Sequence, residues 1–286
     1  MKGIILAGGT GSRLWPITKS VSKQLLPVYD KPMIYYPIAT LMLAGIKEIL
    51  LITTPYDRES FESLLGDGSG FGIKIQYALQ SKPEGLAQAF IIGEDFLGKD
   101  SCLMILGDNI FHGVGLGNEL ANSLPSSGAH IFTYEVANPS EYGVLVIDSF
   151  DKPVSITEKP KEFISNLAVT GLYFFDSNVS VFAKEVKPSS RGELEITSLI
   201  EAYLKAGLLT YTKLSRGTAW LDTGNPDSLH DAGSYIKIIE DRTGLKIACL
   251  EEIAWHKDWI TNEQIEKRAL DFKLNDYGKY LRQLLT

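Results

Sequence analysis

Short runs of apolar residues recur along the first part of the chain. Residues 2–7 (KGIILA) form such a run, which ends at two glycines, and similar runs occur at 48–54 and 102–106. Residues 73–79 alternate between apolar and polar side chains. Short unbroken apolar runs are typical of strands that are buried on both faces of a parallel sheet.

Two segments between these runs suit helices. Residues 32–44 suit a helix that begins near Pro32 and stops at Gly45, because proline is favoured in the first turn of a helix and glycine just after its end. Residues 85–97 suit a second helix. The alternation of strand, helix and strand with short connections predicts βαβ units in a doubly wound, mostly parallel sheet.

The predicted elements change after residue 128, where strands follow one another closely. Strands are predicted at 129–136, 143–148, 154–158 and 168–175, and together they indicate a mixed extension of the sheet. Helices are predicted for the C-terminal part: from Pro226 to about Arg242 with Asn225 or Asp227 as the cap, after the capping-box residues Thr261 and Gln264, and at 278–285. The predicted fold class is α/β, with a Rossmann-like sheet, a mixed extension and C-terminal helices.

Composition narrows the classes of function. The 286 residues are 44% hydrophobic, enough for a large core, and the formal net charge is −7, so we expect no nucleic-acid partner. Two cysteines without a CxxC pair argue against a disulfide framework, and four scattered histidines argue against a zinc site. With no signal segment and no apolar run of about 18 residues, we expect a cytoplasmic protein without membrane contact.

The first predicted strand leads directly into the glycine loop 8–13 (GGTGSR). Glycines let backbone N–H groups wrap anionic oxygens without clashes from Cβ atoms, but a tight strand-to-helix turn would need the same glycines. The loop is not a Walker A motif, because no Gly-Lys-Ser/Thr closes it. It is also a poor dinucleotide fingerprint, because the second strand ends without an acidic ribose ligand and Pro16 interrupts any following helix.

Two aspartates follow predicted strands. Asp108 is the second residue after the run 102–106, and Asp222 lies in the segment 219–224 (AWLDTG). Taken singly, each could cap a helix or form a turn. The carboxyl ends of the strands are, however, where open α/β sheets bind ligands.

Residues 3–32 (GIILAGGTGSRLWPITKSVSKQLLPVYDKP) resemble the signature of the sugar nucleotidyltransferases, G-G-x-G-[ST]-R-L-x-P-x-T followed by a lysine and a Leu-Pro pair. The form KQLLPVYDKPMIYYP is similar to glucose-1-phosphate thymidylyltransferases in particular. The resemblance covers nearly the whole chain and returns, in the same order, at 66–72, 106–109, 141–143, 157–160, 191–196 and 219–224.

The resemblance implies transfer of a thymidylyl group from dTTP to α-D-glucose 1-phosphate, the first step of dTDP-rhamnose and related deoxysugar synthesis. It implies Arg13, Lys23, Asp108 and Asp222 as catalytic residues, and Mg²⁺ as a cofactor bound by the two aspartates. Magnesium prefers a few carboxylates together with phosphate oxygens and waters. The nucleotide-binding residues that it implies are Leu6, Gly8, Gly9, Thr10, Gly11, Ser12, Arg13, Gln24, Gln80, Pro83, Gly85 and Asp108.

The resemblance also implies a sugar-phosphate site. Lys159 and Arg191 would bind the phosphate, although by themselves they could be surface charges. Gln80 and Gly85 match the positions that read thymine, since an amide side chain carries the donor and the acceptor that O4 and N3–H need. Uracil lacks only one methyl group, so we expect appreciable use of UTP beside dTTP. The implied sugar-phosphate residues are Tyr142, Gly143, Glu158, Lys159, Val169 and Arg191.

By the same resemblance, residues 1–224 form the nucleotidyltransferase domain, with a nucleotide-binding part to about 128 and a sugar-phosphate-binding part from 129. Residues 225–286 form a helical extension, for which packing onto the main domain and a subunit contact in a homotetramer both remain open. The resemblance further implies feedback through a second nucleotide site near that contact. His112 stands where many relatives carry tyrosine.

Three other interpretations remain open at this point. One is a sister enzyme that makes UDP-, ADP- or CDP-glucose, against which Gln24 and the segment 80–85 argue by resemblance. Another is a non-catalytic nucleotide sensor, although Asp108 and Asp222 are both present. The last is a nicotinamide-dependent oxidoreductase, which the missing ribose acid disfavours.

Overall fold

The computed structural model describes residues 1–9 and 11–286, which form a central sheet covered by helices. The strands of this part are β1 (Lys2–Ala7), β2 (Pro27–Val28), β3 (Lys31–Pro32), β4 (Glu48–Thr53), β5 (Lys74–Leu79), β6 (Cys102–Leu106), β7 (Asn109–His112), β8 (Ala129–Glu135), β9 (Gly143–Ile147), β10 (Pro153–Glu158), β11 (Leu167–Phe175), β12 (Leu209–Lys213) and β13 (Ala219–Asp222). Its α-helices are α1 (Tyr35–Leu43), α2 (Arg58–Leu65), α3 (Gln88–Ile92), α4 (Glu94–Leu97), α5 (Leu116–Ser123), α6 (Val179–Glu185), α7 (Ile196–Lys205), α8 (Pro226–Thr243), α9 (Leu250–His256), α10 (Asn262–Asp271) and α11 (Asp276–Gln283).

The main sheet has nine strands in the order β10-β9-β11-β6-β1-β4-β5, with β8 joining β11 to β12. Strand β1 runs parallel to β4 and β6, and β4 runs parallel to β5. Strand β11 is antiparallel to β6, β8 and β9, and so begins the mixed part of the sheet. The predicted doubly wound, mostly parallel sheet with a mixed extension is confirmed.

Helices cover both faces of the sheet, which explains why β1 is apolar after Lys2. Alternate side chains of a strand point to opposite faces. Ile5 packs in a core with side chains of α1, α2 and α5, whereas Ile4 packs in a second core with side chains of α3, α6 and α7. Both residues are fully buried.

The helix predicted at 85–97 is wrong in extent, because a distant segment holds its first residues. Gly85 has a φ of 109°, which is outside helical space, and the N–H of Leu194 donates to the carbonyl oxygen of Glu84 at 2.7 Å. The N–H of Ala87 donates in turn to the carbonyl oxygen of Leu194 at 3.0 Å. Helix α3 therefore begins only at Gln88.

Helix α1 also begins later than predicted. Pro32 belongs to the short strand β3, which pairs antiparallel with β2. The hydroxyl of Tyr36 donates to the carbonyl oxygen of Val28 at 2.7 Å and ties this hairpin to the first turn of α1.

The C-terminal helices pack on the rest of the protein. Asn225 caps α8 with a reciprocal bond to Ser228, and the predicted capping box of Thr261 and Gln264 is confirmed. Side chains of α8 pack against β2 and the start of α1, and Trp255, Trp259 and Phe272 pack against the core that contains α1. Leu270 and Leu274 remain exposed, at 59% and 92%. None of the described helices is long and apolar enough to cross a membrane.

Candidate active site

Asp108 is the second residue after β6, lines a cleft and lies beside Lys23. The Lys23 ammonium makes an ion pair with Oδ2 of Asp108, and Nδ2 of Asn109 donates to Oδ1 at 3.0 Å. Burial would raise the pKa of Asp108, but the charge and hydrogen bond of Lys23 outweigh it and hold the pKa below its usual value. Asp108 is therefore ionised in the folded protein near neutral pH.

Asp222 is brought to Asp108 by the pairing of β7 with β13. In this antiparallel pair Asp222 lies opposite Asn109. The N–H and the hydroxyl of Thr223 donate to the carbonyl oxygen of Asp108, at 3.2 and 2.8 Å. Burial, and then the negative charge of Asp108, raise the pKa of Asp222 to about 6. Two carboxylates from distant parts of the chain thus share one site.

This donor set fits a magnesium ion. Two carboxylates with mutually unfavourable charge provide oxygen ligands, and Mg²⁺ takes one or two carboxylates and completes its shell with waters and substrate phosphates. In the described part of the chain, no group of three or more His, Cys, Asp or Glu residues gathers as a larger metal site. The predicted pair of ligands, Asp108 and Asp222, is brought together by the fold.

The glycine loop contributes a cation to the same place. Arg13 Nη1 and Asp222 Oδ1 would each lie 3.2 Å from a Cβ added to Gly224, so both side chains approach that glycine. Burial raises the pKa of Asp222, and the charge of Arg13 lowers it in part. Gly11 has a φ of 58°, and its carbonyl oxygen accepts a bond from Thr18 Oγ1 at 2.7 Å. Thr10 lies outside the described residues.

Gln24 and Gln80 flank the loop as buried amides, with 6% and 4% exposure. Ser22 Oγ donates to Oε1 of Gln24 at 2.8 Å, and Gln24 packs against Gly107. A Cβ on Gly8 would collide with Oε1 of Gln80. The absence of a Cβ at Gly8 therefore lets Gln80 pack directly against the loop in its present conformation.

The predicted sugar-phosphate residues gather on the other side of the cleft. Glu158 lies opposite Gly143 in the pair β9–β10, and the N–H of Lys159 donates to the carbonyl oxygen of Tyr142 at 2.9 Å. Arg191 Nη2 lies 3.7 Å from Glu158 and 2.9 Å from Glu195. Burial, and then the charge of Glu195, raise the pKa of Glu158.

Most predicted site residues line one cavity of about 490 Å³. They are Leu6, Gly8, Arg13, Gln24, Asp108, Tyr142, Gly143, Glu158, Lys159, Val169, Arg191 and Asp222. A neighbouring cavity of about 500 Å³ is lined by Gly9, Lys23, Gln80 and Pro83 together with Trp15 and Tyr56. Gly11, Ser12 and Gly85 line neither cavity.

The sequence analysis missed several residues that line the main cavity. Asn109 Oδ1 accepts bonds from Trp220 Nε1 at 2.6 Å and from the N–H of Gly171 at 3.1 Å, and so ties three strands together. Asn109, Glu195 and Trp220 all lie in the blocks that carry the family resemblance and could have been found there. Tyr173 also lines the cavity. Its position there is set by the register of β11 against β6, which the sequence pattern does not predict.

A family model described as "Nucleotidyl transferase" matches residues 2–237. A glucose-1-phosphate thymidylyltransferase from Neisseria meningitidis (strain Z2491) is 55% identical over 286 residues, which are 100% of this chain and 99% of that protein. A glucose-1-phosphate thymidylyltransferase from Xanthomonas campestris pv. campestris (strain B100) is 57% identical over 285 residues, covering 99% and 96% of the two chains.

A solved structure shows the same architecture. A chain from Bacillus anthracis, provisionally named a glucose-1-phosphate thymidylyltransferase and crystallised in complex with a sucrose, superimposes with a TM-score of 0.76 and 46% sequence identity. The superposition covers 82% of this chain and 94% of that one.

Proposed function

The chain belongs to the nucleotidyl transferase family, and from this premise we propose that it joins dTTP to α-D-glucose 1-phosphate, forming dTDP-glucose and releasing pyrophosphate. The observation that carries the proposal is that Arg13, the two aspartates, Lys159 and Arg191 all line the same cavity. Relatives that share more than half of their residues with this chain are named for this reaction.

The nucleophile in this reaction is a phosphate oxygen of the sugar 1-phosphate. It attacks the α-phosphorus of dTTP, a new P–O bond forms there, and the bond to the leaving pyrophosphate breaks. The second pKa of a phosphate monoester is about 6, so the nucleophile is already anionic near neutrality and no general base is required. Two unit charges about 4 Å apart repel by about 4 kcal/mol at an effective dielectric constant of 20, so catalysis consists of positioning and charge cancellation.

Arg13, Lys23 and the aspartates supply the machinery at the α-phosphate. Arg13 and the amides of the glycine loop bind the triphosphate, and Lys23 approaches the α-phosphate and the leaving pyrophosphate from the side of Asp108. Asp108 and Asp222 would hold Mg²⁺, which when bound neutralises phosphate charge between the two substrates. The ion pair of Lys23 with Asp108, and the burial of Asp222 close to the charge of Asp108, support this assignment.

Lys159 and Arg191 hold the sugar phosphate, while Glu158 accepts hydrogen bonds from hydroxyls of the glucose ring. Glu195 accepts two bonds from the guanidinium of Arg191, at 2.9 and 3.2 Å, and so keeps the guanidinium at the edge of the cavity. Tyr142 packs on Trp220 with ring centroids 5.0 Å apart and forms the floor beneath this site.

The decisive experiment measures pyrophosphate release with glucose 1-phosphate and magnesium, with dTTP, UTP, CTP, ATP and GTP offered separately. We expect dTTP to lead, UTP to follow, and an Asp108→Asn variant to be inactive. A different leading nucleotide would leave the chemistry intact and overturn the assignment of the base. The absence of pyrophosphate with every nucleotide would overturn the proposed reaction and favour a nucleotide sensor.

We further propose that the enzyme assembles as a homotetramer through its helical extension, 225–286. Exposed apolar side chains on this extension, Leu245, Leu270 and Leu274, support a subunit contact. Light scattering after gel filtration measures the mass directly, and a monomeric mass at micromolar concentration would rule the tetramer out.

A further inference from the structure

Three polar side chains form a chain of hydrogen bonds beside the glycine loop. Nε2 of Gln80 donates to Oε1 of Gln88 at 2.7 Å, and Nε2 of Gln88 donates to Oε2 of Glu84 at 2.7 Å. An ionised carboxylate can only accept hydrogen bonds. Gln88 must therefore turn its NH₂ group towards Glu84 and its oxygen towards Gln80, and Gln80 must turn its own NH₂ group towards Gln88.

This order of bonds decides what Gln80 presents to a ligand. The NH₂ group of Gln80 faces two protein acceptors, Gln88 Oε1 and, at 3.4 Å, the carbonyl oxygen of Gly85. Its Oε1 lies against Gly8, which lines the main cavity, and accepts no hydrogen bond from residues 1–9 or 11–286. Gln80 thus offers a ligand an acceptor and no free donor, whereas the sequence analysis expected both.

The far end of the chain of bonds is anchored by the backbone. The carbonyl oxygen of Glu84 accepts from Leu194 at 2.7 Å, and the N–H of Ala87 donates back to Leu194 at 3.0 Å. Gly85, between them, has a φ of 109°, and a Cβ there would collide with the backbone of Leu194. Glu84 and Gln88 are therefore held at a fixed separation, and the orientation of the amides does not depend on a flexible loop.

We propose that Glu84 and Gln88 are positioning residues for base selection, which lock the amide of Gln80 so that it accepts a hydrogen bond from N3–H of a keto pyrimidine. The inference rests on the proposed function, because it requires the base of the nucleotide to lie against Gln80. Thymine and uracil carry N3–H, whereas neutral cytosine has a lone pair at N3 that would face Oε1 of Gln80. A glutamine free to rotate could serve either base, so exclusion of CTP depends on the two residues behind it.

A charge reversal at the exposed end tests this inference. Lysine only donates, so in Glu84→Lys the Gln88 amide turns over, Gln80 follows, and an NH₂ group faces the base. We expect kcat/KM for CTP relative to dTTP to rise at least about tenfold, because one mispaired hydrogen bond is removed for CTP and one is created for dTTP. KM for glucose 1-phosphate should not change.

The double variant Glu84→Lys/Gln88→Glu is the matched control. Its new carboxylate accepts from the introduced lysine and from Gln80, so the original orientation and the original preference should return to within about twofold. Glu266→Lys, the same charge change at an exposed site of α10 that makes no hydrogen bond to these three side chains, should leave the preference as it is in the wild type.

An unchanged ratio in Glu84→Lys, or a double variant that keeps the altered ratio, would overturn the inference. A purely structural effect would lower the activity with every nucleotide by the same factor. Isothermal titration calorimetry measures the affinities for dTTP and CTP. The ratio of these affinities reports the base preference in the absence of catalysis. A wild-type protein inactive with dTTP would therefore count against the proposed function, while the binding ratio would still decide the role of Glu84 and Gln88.

Discussion

Asp108 and Asp222 show how two identical side chains acquire different acidities in one cleft. Lys23 contacts Asp108 and lowers its pKa, whereas Asp222 is buried beside the negative charge of Asp108 and its pKa rises to about 6. With no metal ion bound, two neighbouring carboxylates destabilise the folded protein. Such pairs are typical of metal-binding sites.

Replacing Asp222 by asparagine should stabilise the protein and abolish its activity. The pKa of Asp222 is raised in the folded state, so its contribution to the free energy of unfolding decreases as pH rises from about 4 through 6. Its removal should gain about 1–3 kcal/mol at pH 7, which urea unfolding in the presence of a chelator measures.

Asp151→Asn is the control for this change. Asp151 is exposed and has a φ of 57°, which asparagine tolerates, so stability should remain within about 0.5 kcal/mol. An Asp222→Asn protein that is less stable than the wild type at pH 7 would contradict the electrostatic account.

The small sheet β7–β13 is the element that sets the spacing of the two aspartates. Thr223 follows β13, is fully buried, and donates through its hydroxyl to the carbonyl oxygen of Asp108 at 2.8 Å. This bond connects the strand that carries Asp222 to the residue that carries the other carboxylate.

Thr223→Val should distinguish the effect of the side chain's shape from the effect of its hydrogen bond to the carbonyl oxygen of Asp108. Valine keeps the volume but removes the hydroxyl, so we expect a loss of about 1–2 kcal/mol in unfolding free energy and a fall in kcat of about tenfold or more. Unfolding curves and steady-state kinetics measure the two effects. Thr223→Ser keeps the hydroxyl and should retain most of kcat; equal losses in both variants would exclude the hydrogen bond as the cause.

The pair β8–β12 contains a buried histidine that makes the stability of the fold depend on pH. The ring nitrogens of His130 contact Oγ1 of Thr210 and of Thr212, at 2.8 and 3.0 Å, and burial lowers the pKa of His130 to about 4. Between about pH 6.5 and 4 the unfolded chain binds a proton that the folded protein does not, so the free energy of unfolding should fall with falling pH.

Urea unfolding at pH 7 and pH 5 tests this dependence. We expect His130 to account for about 2 kcal/mol of the difference in the wild type, and the difference should shrink by that amount in His130→Gln. His230→Gln, at an exposed site of α8, should leave the difference unchanged. If His130→Gln kept the full wild-type difference in unfolding free energy between pH 7 and pH 5, other groups would cause the pH dependence.

In the C-terminal part of the molecule, a buried ionic cluster holds the last three helices together. Glu251 is completely buried and accepts from Arg268 at 3.2 Å and from the hydroxyl of Tyr277 at 2.6 Å. The three residues come from α9, α10 and α11, so the cluster ties together the helices that follow α8.

Arg268→Met should lower the free energy of unfolding by about 3 kcal/mol, because it leaves the carboxylate of Glu251 buried without its cation. Thermal and urea unfolding measure the change. The double variant Arg268→Met/Glu251→Gln should recover most of it, since no buried charge remains. Arg282→Met, at an exposed site of α11, should cost less than about 0.5 kcal/mol. If the double variant lost as much unfolding free energy as Arg268→Met, the loss would come from the packing of the Arg268 side chain and not from a buried charge.

The amino-acid sequence was enough to predict the parallel core of the sheet and the strand ends that carry the glycine loop and Asp108. The runs that became β1, β4 and β6 are apolar over several consecutive residues. The glycine loop follows β1 directly, and Asp108 is the second residue after β6. These features depend on side-chain hydrophobicity and backbone preference within a few residues, so local pattern is sufficient to predict them.

The way in which distant parts of the chain come together in the site depends on tertiary contacts. Asp222 reaches Asp108 through the pairing of β7 with β13, and Leu194 interrupts the helix predicted at 85–97. The amide of Gln80 is oriented by Gln88, the first residue of the helix that follows this interruption. The first two features depend on hydrogen bonds between segments that are far apart in sequence, and the third depends on where the contact with Leu194 lets helix α3 begin. The energy of such contacts does not appear in local pattern and is gained only when the whole chain has folded.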